Sequence, residues 1–199
     1  MAVADFIVDT GDAAVLLPIA LLIFVALRLT GALRESIAWA LAIGSCGGSI
    51  LVLKLVFYAC APSLVAAGLR SPSGHTALAT AVYGALAAIV LAGVNRTEIK
   101  AAVILVVVAW IAAIAVSSVA IHAHSIPEVA VGVVAGAASI WLFRVRGGSA
   151  AALKGHLAVP LILAVAALVL LHGQRVEAEG AIERMAALID HSTGCAAPR

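Results

Sequence analysis

The chain has 199 residues, of which 64% are hydrophobic and only 11% charged, with a mean hydropathy of +1.19. Such a composition excludes an ordinary soluble domain. The net charge of +2 offers no electrostatic basis for binding nucleic acid.

Charge is absent from long stretches: residues 36–53, 55–69, 71–95, 101–127, 129–143 and 155–174 contain no Lys, Arg, Asp or Glu. Several of these stretches approach or exceed the ~20 residues that cross a bilayer core. The expected fold is an all-α integral membrane protein with six spans, near 13–33, 36–60, 73–94, 98–121, 126–145 and 155–173. Residues 1–173 form the membrane domain and 174–199 a tail.

The N-terminus carries Asp5, Asp9 and Asp12 in place of a basic signal-peptide start, so the first apolar run is expected to be retained. Arg28, late in that run, is placed to snorkel to the interface. The second run contains Gly44, Gly47 and Gly48, and the fifth contains Gly132 and Gly136. Small residues allow close helix contact in lipid, where hydrophobicity cannot drive association. Cys46, Cys60 and Cys195 are odd in number and lack metal-ligand spacing, and Cys46 and Cys60 read as small apolar residues within helices.

Lys54 lies in the last third of an otherwise uncharged span. An intramembrane ammonium is costly, so it is a candidate functional group, with snorkelling to the headgroups as the simpler alternative. The third span opens with Arg70-Ser71-Pro72-Ser73-Gly74-His75. A Pro-Ser-Gly-His turn offers backbone N–H groups, a hydroxyl and an imidazole at a helix N-terminus, which suits phosphate. A plain capped start, with Ser71 as N-cap and Pro72 at the first helical position, accounts for the serine and proline and leaves the histidine unexplained. Gly74 lets a phosphate approach the backbone closely.

Asn95 with Glu98, and Ser125 with Glu128, have capping-box spacing, and Pro127 suits a first helical turn. His124 and Glu128 are one helical turn apart. The carboxylate can therefore hold one ring nitrogen and leave the other free to attack, or it can merely cap the helix. His122, two residues from His124, is expected to be structural. Gly147-Gly148 breaks the chain after the fifth span. In the tail, Val176, Ile182, Met185, Leu188 and Ile189 form an apolar stripe beside Glu177, Glu179, Glu183 and Arg184, the pattern of an interfacial amphipathic helix.

Connections after spans one, three and five carry Arg28, Arg34, Arg96, Lys100, Arg144, Arg146 and Lys154. The positive-inside rule puts these in the cytoplasm and both termini outside. Two spanning helices fit within the 49 residues from His75 to His124, so both histidines return to the outer face. Two histidines, a carboxylate and a phosphate cradle in a membrane protein point to phosphoryl transfer on a lipid.

The same residues resemble the type-2 phosphatidic-acid phosphatase family of integral-membrane lipid phosphate phosphatases, whose helical core is shared with vanadium haloperoxidases. The family pattern is KxxxxxxRP, PSGH and SRxxxxxHxxxD. Here the blocks read Lys54-xxxxxx-Ala61-Pro62, then Pro72-Ser73-Gly74-His75, then Ser117-Ser118-xxxxx-His124-xxx-Glu128.

The resemblance implies a metal-free, cofactor-free, two-step hydrolysis of a lipid phosphate or diphosphate, of the phosphatidate or polyprenyl (undecaprenyl) diphosphate type. It implies His124 as nucleophile, Glu128 orienting it and His75 as acid and then base. Lys54, Ser73 and Gly74 are implied to hold the phosphoryl oxygens. The family's two arginines fall on Ala61 and Ser118, and Arg70 is expected to substitute for them. An outer-face site on a bacterial inner membrane, working on lipid in the bilayer, is the expected setting. A non-catalytic lipid-phosphate binder and a phosphotransferase are the alternatives.

Overall fold

The computed structural model describes residues 2–60, 71–147, 158–174 and 178–193. The described elements are all helical: α1 Ala2–Asp9, α2 Ala13–Leu29, α3 Leu33–Cys60, α4 Gly74–Gly93, α5 Thr97–Ala120, α6 Ile126–Arg146, α7 Ala158–Leu171 and α8 Ala178–Thr193. Local chemistry sets the ends. Asp12 N-caps α2, its Oδ1 accepting from the Ala14 N–H at 2.8 Å. The helix stops at Leu29 because Thr30 caps it and Gly31 takes the left-handed conformation (φ 79°), four residues short of the expected end.

Ser73, and not Ser71, caps α4: its Oγ accepts from the Thr76 N–H at 3.3 Å, so the helix begins at Gly74. The plain alternative of a cap at Ser71 is thereby set aside, and the start lies within one residue of the expected span. Two residues further along the chain, the cap delivers His75 to the mouth of the bundle.

Five helical stretches are long and apolar enough to cross a membrane. They are Val3–Leu29 (α1 and α2 with the turn between them), α3, α4, α5 and α6. The sixth expected span contains α7, which has 14 residues and falls short of that length among the described residues. The protein is therefore a multi-pass membrane protein with five such helices described. The α8 helix lies within the expected tail, with Ile182 and Ala186 buried and Leu188 exposed.

The α4 helix is central. Ala77, Ala79, Ala81, Val82, Ala85 and Ile89 are almost wholly buried, and α4 packs on α3, α5 and α6. Gly132 and Gly136 of α6 make the closest approach. A Cβ on Gly132 would sit 2.6 Å from the Ser73 carbonyl, and one on Gly136 would overlap Thr80. Between α2 and α3, Trp39 Nε1 donates to the Ala20 carbonyl at 2.9 Å. The α5 helix instead turns Leu105, Val106, Val108 and Val116 outward, as a lipid-facing helix does.

The bundle has two chemically different ends. At one, Arg34 Nε donates to the Arg146 carbonyl at 3.2 Å. Lys54 on α3 and Glu128 on α6 lie at the other, roughly 30 Å away at 1.5 Å per helical residue. Cys60, at that same end of α3, is disulfide-bonded, which corrects its reading as a plain apolar residue; Cys46 is free and buried.

Candidate active site

Glu128 organises the site from the first turn of α6. It is 4% exposed, and both carboxylate oxygens are engaged. Oε1 accepts from the Ser71 N–H at 2.9 Å, and Oε2 accepts from the Ser125 N–H at 2.8 Å. Its carbonyl accepts from the Ser73 N–H at 3.1 Å. The Pro-Ser-Gly-His turn and the His124 turn are thus tied together through one residue. His124 Nδ1 lies 3.4 Å from Oε2, so Glu128 caps its helix and contacts the imidazole as well. The two readings of this residue are not alternatives.

His124 is placed by the end of α5. The Ser118 carbonyl accepts from the N–H groups of Ala123 and His124, at 3.0 and 3.3 Å. Ser118, which stands where the family carries arginine, is buried and gives its hydroxyl to the Ile114 carbonyl at 2.8 Å. His122 adopts a left-handed backbone (φ 59°) and is exposed, turned to the tight bend rather than to the site.

His75 and His124 converge, their ring centroids 6.1 Å apart at 58°. At that spacing both rings can reach one phosphorus lying beside them, about 3–3.5 Å from the attacking nitrogen. The His75 side chain is 33% exposed against 11% for His124, so His75 is the ring open to water. Burial, then His75, then Lys54 hold the His124 imidazole below its ordinary range, while Glu128 opposes them. The result favours a neutral imidazole with one nitrogen free to act as a nucleophile.

Lys54 is 5% exposed, and its Nζ donates to Ser71 Oγ at 3.3 Å; the Tyr58 hydroxyl reaches the same oxygen at 3.4 Å. It therefore does not snorkel away. Gly74 faces it: a Cβ there would lie 3.9 Å from Lys54 Cε. Ser73 is fully buried, its Oγ 3.0 Å from Thr76 Oγ1 and committed to the cap. Arg70 and Ala61 lie outside the described residues.

A cavity of about 310 Å³ joins these groups to an apolar wall. Asp12, Lys54, Gly74 and His75 line its polar part, and Leu17, Ile50, Leu51, Leu78 and Ile182 its apolar part. The arrangement matches an amphiphile with a charged head and a hydrocarbon body. Sequence reasoning missed Asp12, whose Oδ2 lies 3.1 Å from His75 Nε2, and Tyr58. No local spacing signals the Asp12 contact, whereas Tyr58 lies one helical turn after Lys54 on the same helix and could have been found from that spacing. Among the described residues, no three His, Cys, Asp or Glu side chains gather as a metal site.

The comparisons agree with the motif resemblance. An uncharacterized 22.5 kDa protein in the cps region of Klebsiella pneumoniae is 35% identical over 136 residues, covering 68% of this chain and 65% of the relative. The chain thus spans just under two thirds of that relative's length. No solved structure matches. The PAP2 superfamily matches residues 19–147, a region that holds His75, His124, Glu128 and Lys54, and the chain belongs to that superfamily.

Proposed function

We propose that the protein hydrolyses a membrane lipid phosphate or diphosphate, of the phosphatidate or polyprenyl diphosphate type, through a phosphohistidine. The observation that carries this reading is the 6.1 Å approach of two imidazoles, one of which, His75, lines a cavity with charged groups and an apolar wall. In the first step the free nitrogen of neutral His124 attacks phosphorus. The P–N bond forms as the bond to the leaving oxygen breaks, and His75 gives that oxygen its proton. In the second step His75 takes a proton from water, whose oxygen attacks phosphorus and releases inorganic phosphate and His124.

Lys54 and the Gly74 N–H offset charge developing on the phosphoryl oxygens. Ser73 holds the cradle through its cap, and Arg70 supplies the guanidinium that Ala61 and Ser118 lack. Lipid enters sideways from the bilayer, with its chain along the apolar wall. Six spans, a site on the periplasmic side of an inner membrane and both termini outside complete the reading. Two observations support the orientation: the Arg34–Arg146 end is opposite the histidines, and Cys60 is disulfide-bonded at the histidine end.

The absence of both motif arginines favours a second reading, a non-catalytic lipid-phosphate binder. Losing one oxyanion contact commonly costs ~10²–10³ in rate. Brief exposure of the purified protein to lipid labelled in its phosphate separates the two. Hydrolysis predicts label on His124 and phosphate release that His124→Ala abolishes. Lipid binding with no label and no release, in wild type and variant alike, overturns it in favour of the binder.

A further inference from the structure

Asp12 is the second carboxylate of the site, and it comes from a part of the chain that the three motifs do not reach. It is 5% exposed at the turn between α1 and α2, and it lines the same cavity as His75 and Lys54. Its two oxygens are divided. Oδ1 caps α2 through the Ala14 N–H, and Oδ2 lies 3.1 Å from His75 Nε2. The cap fixes the carboxylate on a rigid helix end, so the ring contact does not depend on a mobile side chain. Gly11 keeps the turn close to α4: a Cβ there would lie 3.5 Å from the His75 carbonyl and 3.0 Å from Ile114.

Resting on the hydrolase reading above, we infer that Asp12 is a positioning residue for the acid–base histidine, forming with His75 a second carboxylate–imidazole dyad that faces the Glu128–His124 dyad. The carboxylate only accepts, so Nε2 is the protonated nitrogen in this pair. Nδ1 is then the nitrogen presented to the leaving oxygen. When His75 passes its Nδ1 proton to that oxygen, the bond from phosphorus to oxygen breaks and the lipid alcohol departs neutral. Nε2–H remains on Asp12, so the ring keeps the tautomer in which Nδ1 can next take a proton from water. A carboxylate that holds a catalytic imidazole in its working tautomer is a known use of such a pair.

The placement predicts an effect that depends on the leaving group. An alkyl alcohol needs a proton as it departs, and a nitrophenolate does not. In Asp12→Asn the side-chain oxygen can still cap α2, while the amide donates toward Nε2 and selects the opposite tautomer. Asp12→Ser keeps a capping oxygen and lacks the reach to His75.

The experiment compares wild type, Asp12→Asn and Asp12→Ser on two monophosphates matched in chain length, one an alkyl ester and one a nitrophenyl ester. kcat/KM, which reports the step that expels the alcohol, is measured together with the thermal unfolding midpoint. The expected result is a loss of ~10²-fold on the alkyl ester in both variants, a loss below about fivefold on the nitrophenyl ester, and a nearly unchanged midpoint. Equal losses on both esters, or no loss on either, overturn the assignment while the wild-type activity leaves the hydrolase reading intact. A wild type that releases phosphate from neither ester overturns both.

Discussion

The two histidines are each paired with a carboxylate, but by different means. Glu128 reaches His124 across one turn, i to i+4, and in doing so also binds the N–H groups of Ser71 and Ser125. Asp12 reaches His75 across 63 positions and also caps its own helix. The first pair is a structural keystone with a chemical function added. The second is a contact between an N-terminal turn and the start of α4. Loss of Glu128 should therefore unmake the site, whereas loss of Asp12 should leave it standing and mistuned.

The largest effect tests that difference directly. Glu128→Ala leaves one buried and one partly buried N–H group without their acceptor and should lower stability by about 2–5 kcal/mol, with activity lost. Denaturant unfolding in detergent beside Asp12→Ser, which should stay within about 0.5–1 kcal/mol of wild type, gives the comparison. Equal losses would mean that the two carboxylates play the same structural part.

A smaller effect concerns charge around the nucleophile. Burial, His75 and Lys54 lower the His124 pKa, and Glu128 raises it. On the proposed mechanism neutral His124 is the reactive form, so kcat/KM should fall as the pH drops through that value, which lies below the ordinary histidine value of about 6.5. Lys54→Met removes a lowering charge and should move this acid limb to higher pH. Glu128→Gln removes the raising charge and should move it to lower pH. Shifts in the same direction for both variants would contradict the electrostatics of the pair.

How much of this was legible depended on sequence separation. The apolar runs and their charge-free gaps located α2 to α7 to within a few residues, because hydropathy over a span is a local property. His124 with Glu128 was equally legible, since helical spacing alone brings them together. Ser118 was marked as a departure from the family pattern, yet its part in fixing the His124 backbone through its carbonyl lay beyond any motif. Asp12 appeared only as one of three acidic residues near the N-terminus. Its burial comes from α1 packing on α5 and from the turn at Thr10–Asp12, where the Thr10 carbonyl accepts from the Tyr83 hydroxyl at 2.7 Å. Such contacts leave no periodic trace. The Ser73 hydroxyl, expected to hold phosphate, also caps α4, because that helix starts at Gly74.

The bare backbone at Gly132 carries a warning for anyone engineering a hardier variant. Replacing helical glycine by alanine ordinarily gains roughly 1 kcal/mol from helix propensity, and Gly44, Gly47 and Gly48, whose added methyl would meet nothing within 4 Å, are open to that change. At Gly132 the methyl would drive into the Ser73 carbonyl, and steric conflict of this kind costs about 1–3 kcal/mol. Gly132→Ala should therefore lower the melting temperature where Gly44→Ala does not. A thermostability campaign that treated these glycines alike would prise apart the two turns that carry the proposed site.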